Sequence, residues 1–213
     1  MALDLDKRST LASSFAGECG TNKAMVTKPR SYDRKEKRPP RPLDARRLND
    51  LALHYVARFA TSAAKLNDYL KRKLRERGWE GEGDPGIAAL TEKLVAAGYI
   101  DDAAYARAKS GALLRRGFGA RRIGQALNAA GIAEETRAEV RASEAAQRRA
   151  ALALARKRRF GPFGSPPADR AAREKQVAAM LRAGHPLDFV RALLGASDAN
   201  AAEVWAGELD QDE

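Results

Sequence analysis

The chain has one cysteine, Cys19, among 213 residues, which excludes an intrachain disulfide and suits a reducing compartment. Cys19 has no activating group near it in sequence, so thiol nucleophile chemistry has no support. The only histidines are His54 and His185. Far apart as they are, they cannot supply the three or four ligands of a metal site, and both are expected in structural roles. Aromatic residues make up 6% of the chain; Leu, Ile, Val and Phe together number 39, about 18%. That is less than the roughly 20% below which a charged chain is poor in core-forming side chains. No apolar run approaches the roughly 20 residues of a membrane span. The opening MALDLDKRST lacks the apolar stretch of a secretory signal. A cytoplasmic protein without membrane association is expected.

What the chain has in quantity is alanine and basic charge. Alanine favours helix but contributes little burial per residue, so several small helical modules with thin cores are expected rather than one large core. The formal charge of +11 and pI near 10 point to an anionic partner, with nucleic acid the default class; the plainer reading is that Lys and Arg solvate Ala-rich helices.

Residues 1–42 hold ten Lys or Arg against five acidic residues and end in the Pro-rich run from Lys35 to Pro42. Prolines without a sustained hydrophobic period predict a disordered basic tail. Helices are expected from Asp44 onward, Asp44 serving as an N-cap. The first carries Leu48, Leu51, Ala52, Tyr55 and Phe59. The second is capped by Thr61 or Ser62, carries Leu66, Leu70 and Leu74, and stops at Gly78. A third, with Ile87, Leu90 and Leu94, stops at Gly98. Asp101 and Asp102 open a fourth with Tyr105, Ala108 and Ala112 on one face, stopped by Gly117. The fifth places Ala120, Ile123, Leu127 and Ala130 on one stripe and stops at Gly131. A sixth starts near Glu134 and breaks near Ser143; Leu152 and Leu154 mark a seventh. The segment Pro162–Pro167 is expected to be non-helical. An eighth helix carries Val177, Met180 and Leu181, and Pro186 opens a ninth with Leu187, Val190 and Leu194. The acidic end, 197–213, forms a short helix or a loose tail.

The glycines that stop the second, fifth and eighth helices are Gly78, Gly131 and Gly184, 53 residues apart in both steps. Four residues before each stands Leu74, Leu127 or Met180. Three divergent copies of a three-helix unit account for this spacing: 43–100, 101–146 and 147–196, between the 1–42 tail and the 197–213 end. Each copy alone buries too little, so neighbours are expected to pack in a row. The expected fold is all-α, three tandem three-helix repeats forming an elongated, curved array.

No constellation supports catalysis, a cofactor or a metal. Asp101 and Asp102 precede a helix, where carboxylates accept its orphan N–H groups. Gly117-Phe118-Gly119 invites a phosphate-loop reading, but neither a preceding strand nor Gly-Lys-Ser/Thr is there; it reads better as a joint between helices. Arg115 and Arg116 stand before that joint, and Arg121 and Arg122 in the first turn after it. The helix dipole disfavours cations at an N-terminus, so Arg121 and Arg122 are expected to serve a binding role. Arg158 and Arg159 hold a similar place in the third unit, and Lys71 and Arg72 lie near the end of the second helix. Repeated basic edges on a row of units suit a polyanion or a charged filament.

The stretch Gly98-Tyr99-Ile100-Asp101-Asp102, then Tyr105-Ala106, Arg115-Arg116-Gly117, Gly119, Arg122-Ile123, Leu127 and Gly131-Ile132 resembles the RecX family, regulators of the RecA recombinase. The resemblance extends from about Leu43 to Leu194 and is densest in the middle unit. The Thr61–Leu66 step, the Pro162–Asp169 insert and the basic tail depart from the family pattern. The resemblance implies a monomeric, non-enzymatic protein without cofactors. It would lie in the groove of a RecA–DNA filament and inhibit ATP hydrolysis and strand exchange, so modulating recombination, DNA repair and the SOS response. Arg115, Arg116, Arg121 and Arg122 are then expected to contribute to filament binding, supported by Lys71, Arg72, Arg158 and Arg159. Single- or double-stranded DNA is a possible further partner. The alternative is a direct DNA-binding protein that uses the Gly117 turn as a helix-turn-helix element and needs no recombinase.

Overall fold

A computed structural model describes residues 41–209. The tail expected over 1–42 falls almost wholly outside the described residues, as does Cys19. The described chain is helical: α1 (Ala45–Arg58), α2 (Ala63–Arg77), α3 (Ile87–Ala96), α4 (Asp102–Arg115), α5 (Ala120–Asn128), α6 (Glu134–Glu139), α7 (Glu144–Arg158), α8 (Arg170–Arg182), α9 (Leu187–Gly195) and α10 (Ala199–Gly207). Apart from a single bridge between Leu43 and Trp79, the described residues make no β pairing. The all-α expectation holds, and α10 decides the open question at the acidic end in favour of a helix.

Most starts follow from local chemistry. Asp44, Ser62, Asp101, Ser143, Asp169 and Asp198 each accept a hydrogen bond from the backbone N–H three residues on, an arrangement that contributes about 1 kcal/mol per helix. The helices pack as consecutive triplets with separate cores. Leu48, Leu66, Leu70 and Leu94 anchor α1–α3. Ala106, Leu113, Ile123 and Leu127 anchor α4–α6, and Ala151, Ala155, Met180, Val190 and Leu193 anchor α7–α9. Ile100, in the connection before α4, is buried in the first of these cores. α7 begins at Glu144, ahead of residue 147, and α10 lies against α7 and α9.

Three sequence expectations need correction. The buried face of α4 is Ala106, Ser110 and Leu113, whereas Tyr105 and Ala112 are half-buried and Ala108 is exposed. On an Ala-rich helix two neighbouring stripes have nearly equal apolar content, and Leu113 decides between them. Leu187 at the start of α9 is 39% exposed; Leu193, not named in that stripe, is fully buried. The Pro162–Pro167 segment contains a 3₁₀ turn at Gly161–Phe163, which Pro162 can enter because its missing N–H is not needed in a first turn.

The 53-residue interval acquires a structural meaning at the junctions. The N-terminus of α2 docks on the turn after α5: Ser62 Oγ donates to the Ala130 carbonyl at 2.6 Å. The N-terminus of α5 docks likewise on the turn after α8, with Gly119 N–H donating to the Ala183 carbonyl at 2.9 Å and Arg121 N–H to the Gly184 carbonyl at 3.3 Å. Ala130 and Ala183 are one interval apart, and each precedes its left-handed glycine, Gly131 (φ 70°) and Gly184 (φ 98°). A side chain at either glycine would run into the docked element, Ala64 in the first case and Arg122 in the second. Each triplet thereby presents a helix start to the turn of the next.

Candidate functional site

The Gly117-Phe118-Gly119 joint sits at the second junction. Gly117 adopts φ 82°, letting the chain leave α4 and start α5 within four residues, and its carbonyl faces His185. His185 is buried, and its Nε2 donates to the Gly117 carbonyl at 3.0 Å. Its Nδ1 is buried without a partner. Burial pushes the imidazole below the ordinary histidine range, although the Gly117 hydrogen bond opposes this. The neutral ring, protonated on Nε2, is therefore the form that fits. His54, by contrast, is exposed, with Nδ1 2.8 Å from the Asp50 carbonyl oxygen. Each histidine thus has a ring nitrogen at hydrogen-bond distance from a backbone carbonyl, and no cluster of three or more metal-ligating side chains occurs among the described residues.

Where the α4–α5 joint meets α7 and α8, a cleft of about 680 Å³ opens. Arg116, Arg122, Lys157, Arg158 and Arg182 line it, together with Phe118 and Phe160, and among the described residues no carboxylate does. The Arg116 guanidinium lies 5.2 Å from the centre of the Phe118 ring. Among the described residues, none of these five cations has an ion-pair partner. Other basic residues nearby do: Arg148 pairs with Glu144 and Glu208, and Arg156 with Glu203. Converging unpaired like charges destabilises the chain that holds them, and a bound anion removes that cost.

The named arginines therefore divide. Arg116, Arg122 and Arg158 meet in the cleft. Arg121 turns away and donates from Nη2 to the Leu181 carbonyl at 2.5 Å, a second donor to a carbonyl that already accepts the Gly184 N–H at 3.0 Å; this gives it a structural task that its place in sequence did not show. Arg115 folds back along its own helix, over Gly111. Arg159 is the left-handed C-cap of α7 (φ 54°), with an exposed side chain. Lys71 and Arg72 belong to the first triplet and do not reach the cleft; Arg72 lies 3.6 Å from Glu76 and over the Tyr69 ring. Lys157 and Arg182, in the cleft, were not singled out from sequence. Of the acidic pair, Asp101 caps α4 through the Ala104 N–H. Asp102 instead accepts from the Ala63 N–H at 2.9 Å and so caps α2, across the first junction, a correction to its expected place on its own helix.

These features define a class: an all-helical protein of serially docked three-helix units with a basic cleft at one junction. Comparison with known proteins makes the class specific. The family model described as "RecX, second three-helix domain" matches residues 101–140. The Regulatory protein RecX of Myxococcus xanthus (strain DK1622) is 33% identical over 177 residues, covering 78% of this chain and 95% of that protein. The Regulatory protein RecX of Agrobacterium fabrum (strain C58 / ATCC 33970) is 29% identical over 157 residues, covering 72% and 84%. The crystal structure of RecX from Lactobacillus salivarius shares the fold, with a TM-score of 0.54 at 19% identity over 68% of this chain and 91% of that one. The chain belongs to the RecX family of regulatory proteins. Among the described residues, no helix is long and apolar enough to cross a membrane.

Proposed function

We propose that this protein regulates the RecA recombinase by binding the RecA–DNA filament and lowering its ATPase and strand-exchange activity, without catalysis or a cofactor of its own. The family supports the regulatory role, and one observation supports the contact: five cations line the second-junction cleft with no counter-charge among the described residues. A filament carries anionic surface from both protein and nucleic acid, and a groove that excludes carboxylates suits either. Within the proposal, Arg116, Arg122 and Arg158 carry the contact together with Lys157 and Arg182. Arg115, Arg159, Lys71 and Arg72 extend the basic edge, while Arg121 mainly fixes the junction. The protein acts as a monomer in the cytoplasm.

The test is the triple variant Arg116→Glu, Arg122→Glu, Arg158→Glu, assayed for inhibition of RecA ATPase. Losing three phosphate or carboxylate contacts at roughly 1 kcal/mol each, with repulsion added, predicts at least a hundredfold rise in the concentration needed. Unchanged inhibition removes the cleft from the mechanism. The same variant and the parent, run over DNA with and without RecA across a salt series, separate a second reading. Steeply salt-dependent retention on DNA alone, with no gain from RecA, favours direct DNA binding.

A further inference from the structure

On the other side of α5 from the cleft lies a second cavity, about 450 Å³, between α4, α5, α6 and the start of α7. Ile123, Leu127 and Val140 contribute to its apolar lining, and Arg121, Arg137 and Arg141 also line it against one carboxylate among the described residues, Glu134. Two features are unexplained by folding. Gly124, the middle residue of α5, lines this cavity. Glycine is the least favourable helix-interior residue after proline, yet a Cβ here would meet nothing within 4 Å. Neither a close approach nor a left-handed backbone requires glycine at this site; its effect is to leave the cavity open. The second feature is Arg141, exposed at the rim and without an ion-pair partner among the described residues, beside Arg137, whose guanidinium pairs with Glu134 through Nη2.

We propose that this cavity is a docking pocket for a protein partner that inserts one large apolar side chain flanked by carboxylates. The apolar floor takes the side chain, the space over Gly124 gives it room, and the exposed Arg141 at the rim receives the acids, with three lining arginines against one carboxylate. Arg121, Glu134 and Arg141 are exposed, so the pocket is an open groove. Small-molecule sites bury most of their ligand, whereas an open groove suits a segment tethered to a larger body. The proposal deepens the reading of a protein partner by adding a contact separate from the basic cleft.

The test uses the full chain, 15N-labelled, titrated with a short synthetic peptide carrying one leucine between aspartates. Amide shifts are expected at Gly124, Ala138 and Ala142. Gly124→Leu fills the groove from within: its Tm stays level or rises, and peptide affinity falls at least about tenfold. Gly124→Ala keeps affinity within about twofold, and Arg141→Met lowers it about threefold, as expected for loss of one exposed charge contact. Replacing the peptide's leucine with alanine abolishes the shifts. The proposal is overturned if Gly124→Leu binds as the parent does, if the alanine peptide binds equally well, if the shifts fall instead on Phe118 and Lys157, or if no binding is seen. Because RecA is absent from this titration, a negative result leaves the charge-reversal test of the cleft standing, and the converse holds.

Discussion

Replacing Ser62 with alanine should uncouple the first triplet from the second, and the size of the loss can be worked from two bonds. Ser62 is wholly buried. Its Oγ accepts from the Lys65 N–H at 3.4 Å and donates to the Ala130 carbonyl at 2.6 Å. Losing the cap costs about 1 kcal/mol. Leaving the carbonyl of Ala130, itself buried, without its donor costs a further 1–3 kcal/mol or so. The expected total of roughly 2–4 kcal/mol lowers Tm by about 5–15 °C for a chain of this size. Asp102 holds the same helix start through the Ala63 N–H, though half-exposed; Asp102→Ala should cost about 1–2 kcal/mol. Since both residues fix one helix end to one neighbouring triplet, the double variant should be non-additive by at least about 0.5 kcal/mol. Urea denaturation of the four proteins gives the cycle, and native-state hydrogen exchange at Ala63, Lys65 and Leu66 locates the opening. A Ser62→Ala loss below about 0.5 kcal/mol, or strict additivity, would refute the reasoning that these bonds jointly dock α2.

Two further tests address the second junction. His185 is held below its unfolded value near 6.5, so the unfolded state takes up its proton first as pH falls. Its contribution is complete above about pH 6.5 and declines below that by at most about 1.4 kcal/mol per pH unit. His185→Gln, which can still donate to the Gly117 carbonyl, should remove that acid-side slope from pH-dependent urea midpoints; an unaltered slope would assign it to other groups. Gly184→Ala places a side chain against Arg122 at φ 98° and should cost about 2–4 kcal/mol. Gly78→Ala, at φ 81° with open space, should cost only the 1–2 kcal/mol or so of left-handed backbone. Equal losses in calorimetry would show that docking adds nothing at Gly184.

Much of this architecture is written in local chemistry. Asp44, Ser62 and Asp101 announce helix starts, and Gly78, Gly131 and Gly184 announce stops, because caps and left-handed turns depend on neighbours a few residues away. The choice of buried face in α4 was not legible, because alanine contrasts too weakly with itself. The cleft was half legible. Arg116, Arg122 and Arg158 stand in conspicuous basic pairs, but so do Arg121 and Arg159, and only the fold shows that Arg121 serves the Leu181 carbonyl. Within Arg156-Lys157-Arg158-Arg159, charge alone does not reveal that Arg156 is neutralised by Glu203, 47 residues on. Arg182 gave no local sign at all. The roles of Asp102 and His185 were hidden for the same reason, since each acts on a partner across a junction.

The two junctions differ in the charge of the grooves beside them. Each docking leaves a groove beside the docked helix start. The first, about 230 Å³, is lined by Tyr55, Lys65, Asp68, Tyr69, Arg72 and Ala129. Lys65 is the third residue of α2, as Arg122 is of α5. Ala129 stands one 53-residue interval before Arg182. Similar positions thus line both grooves with different chemistry. In the first, Asp68 adds a carboxylate to the wall, Glu76 lies beside Arg72, and Lys65 lies over the Tyr105 ring. In the second, the sixth residue of α5 is Gln125 where α2 has Asp68, the slot of Ala129 is filled by Arg182, and α7 adds Lys157 and Arg158. The docking bonds impose the groove, and a few substitutions on its walls decide its charge. At the second junction the described residues on the wall include no carboxylate, which is the property that the proposed anion contact requires.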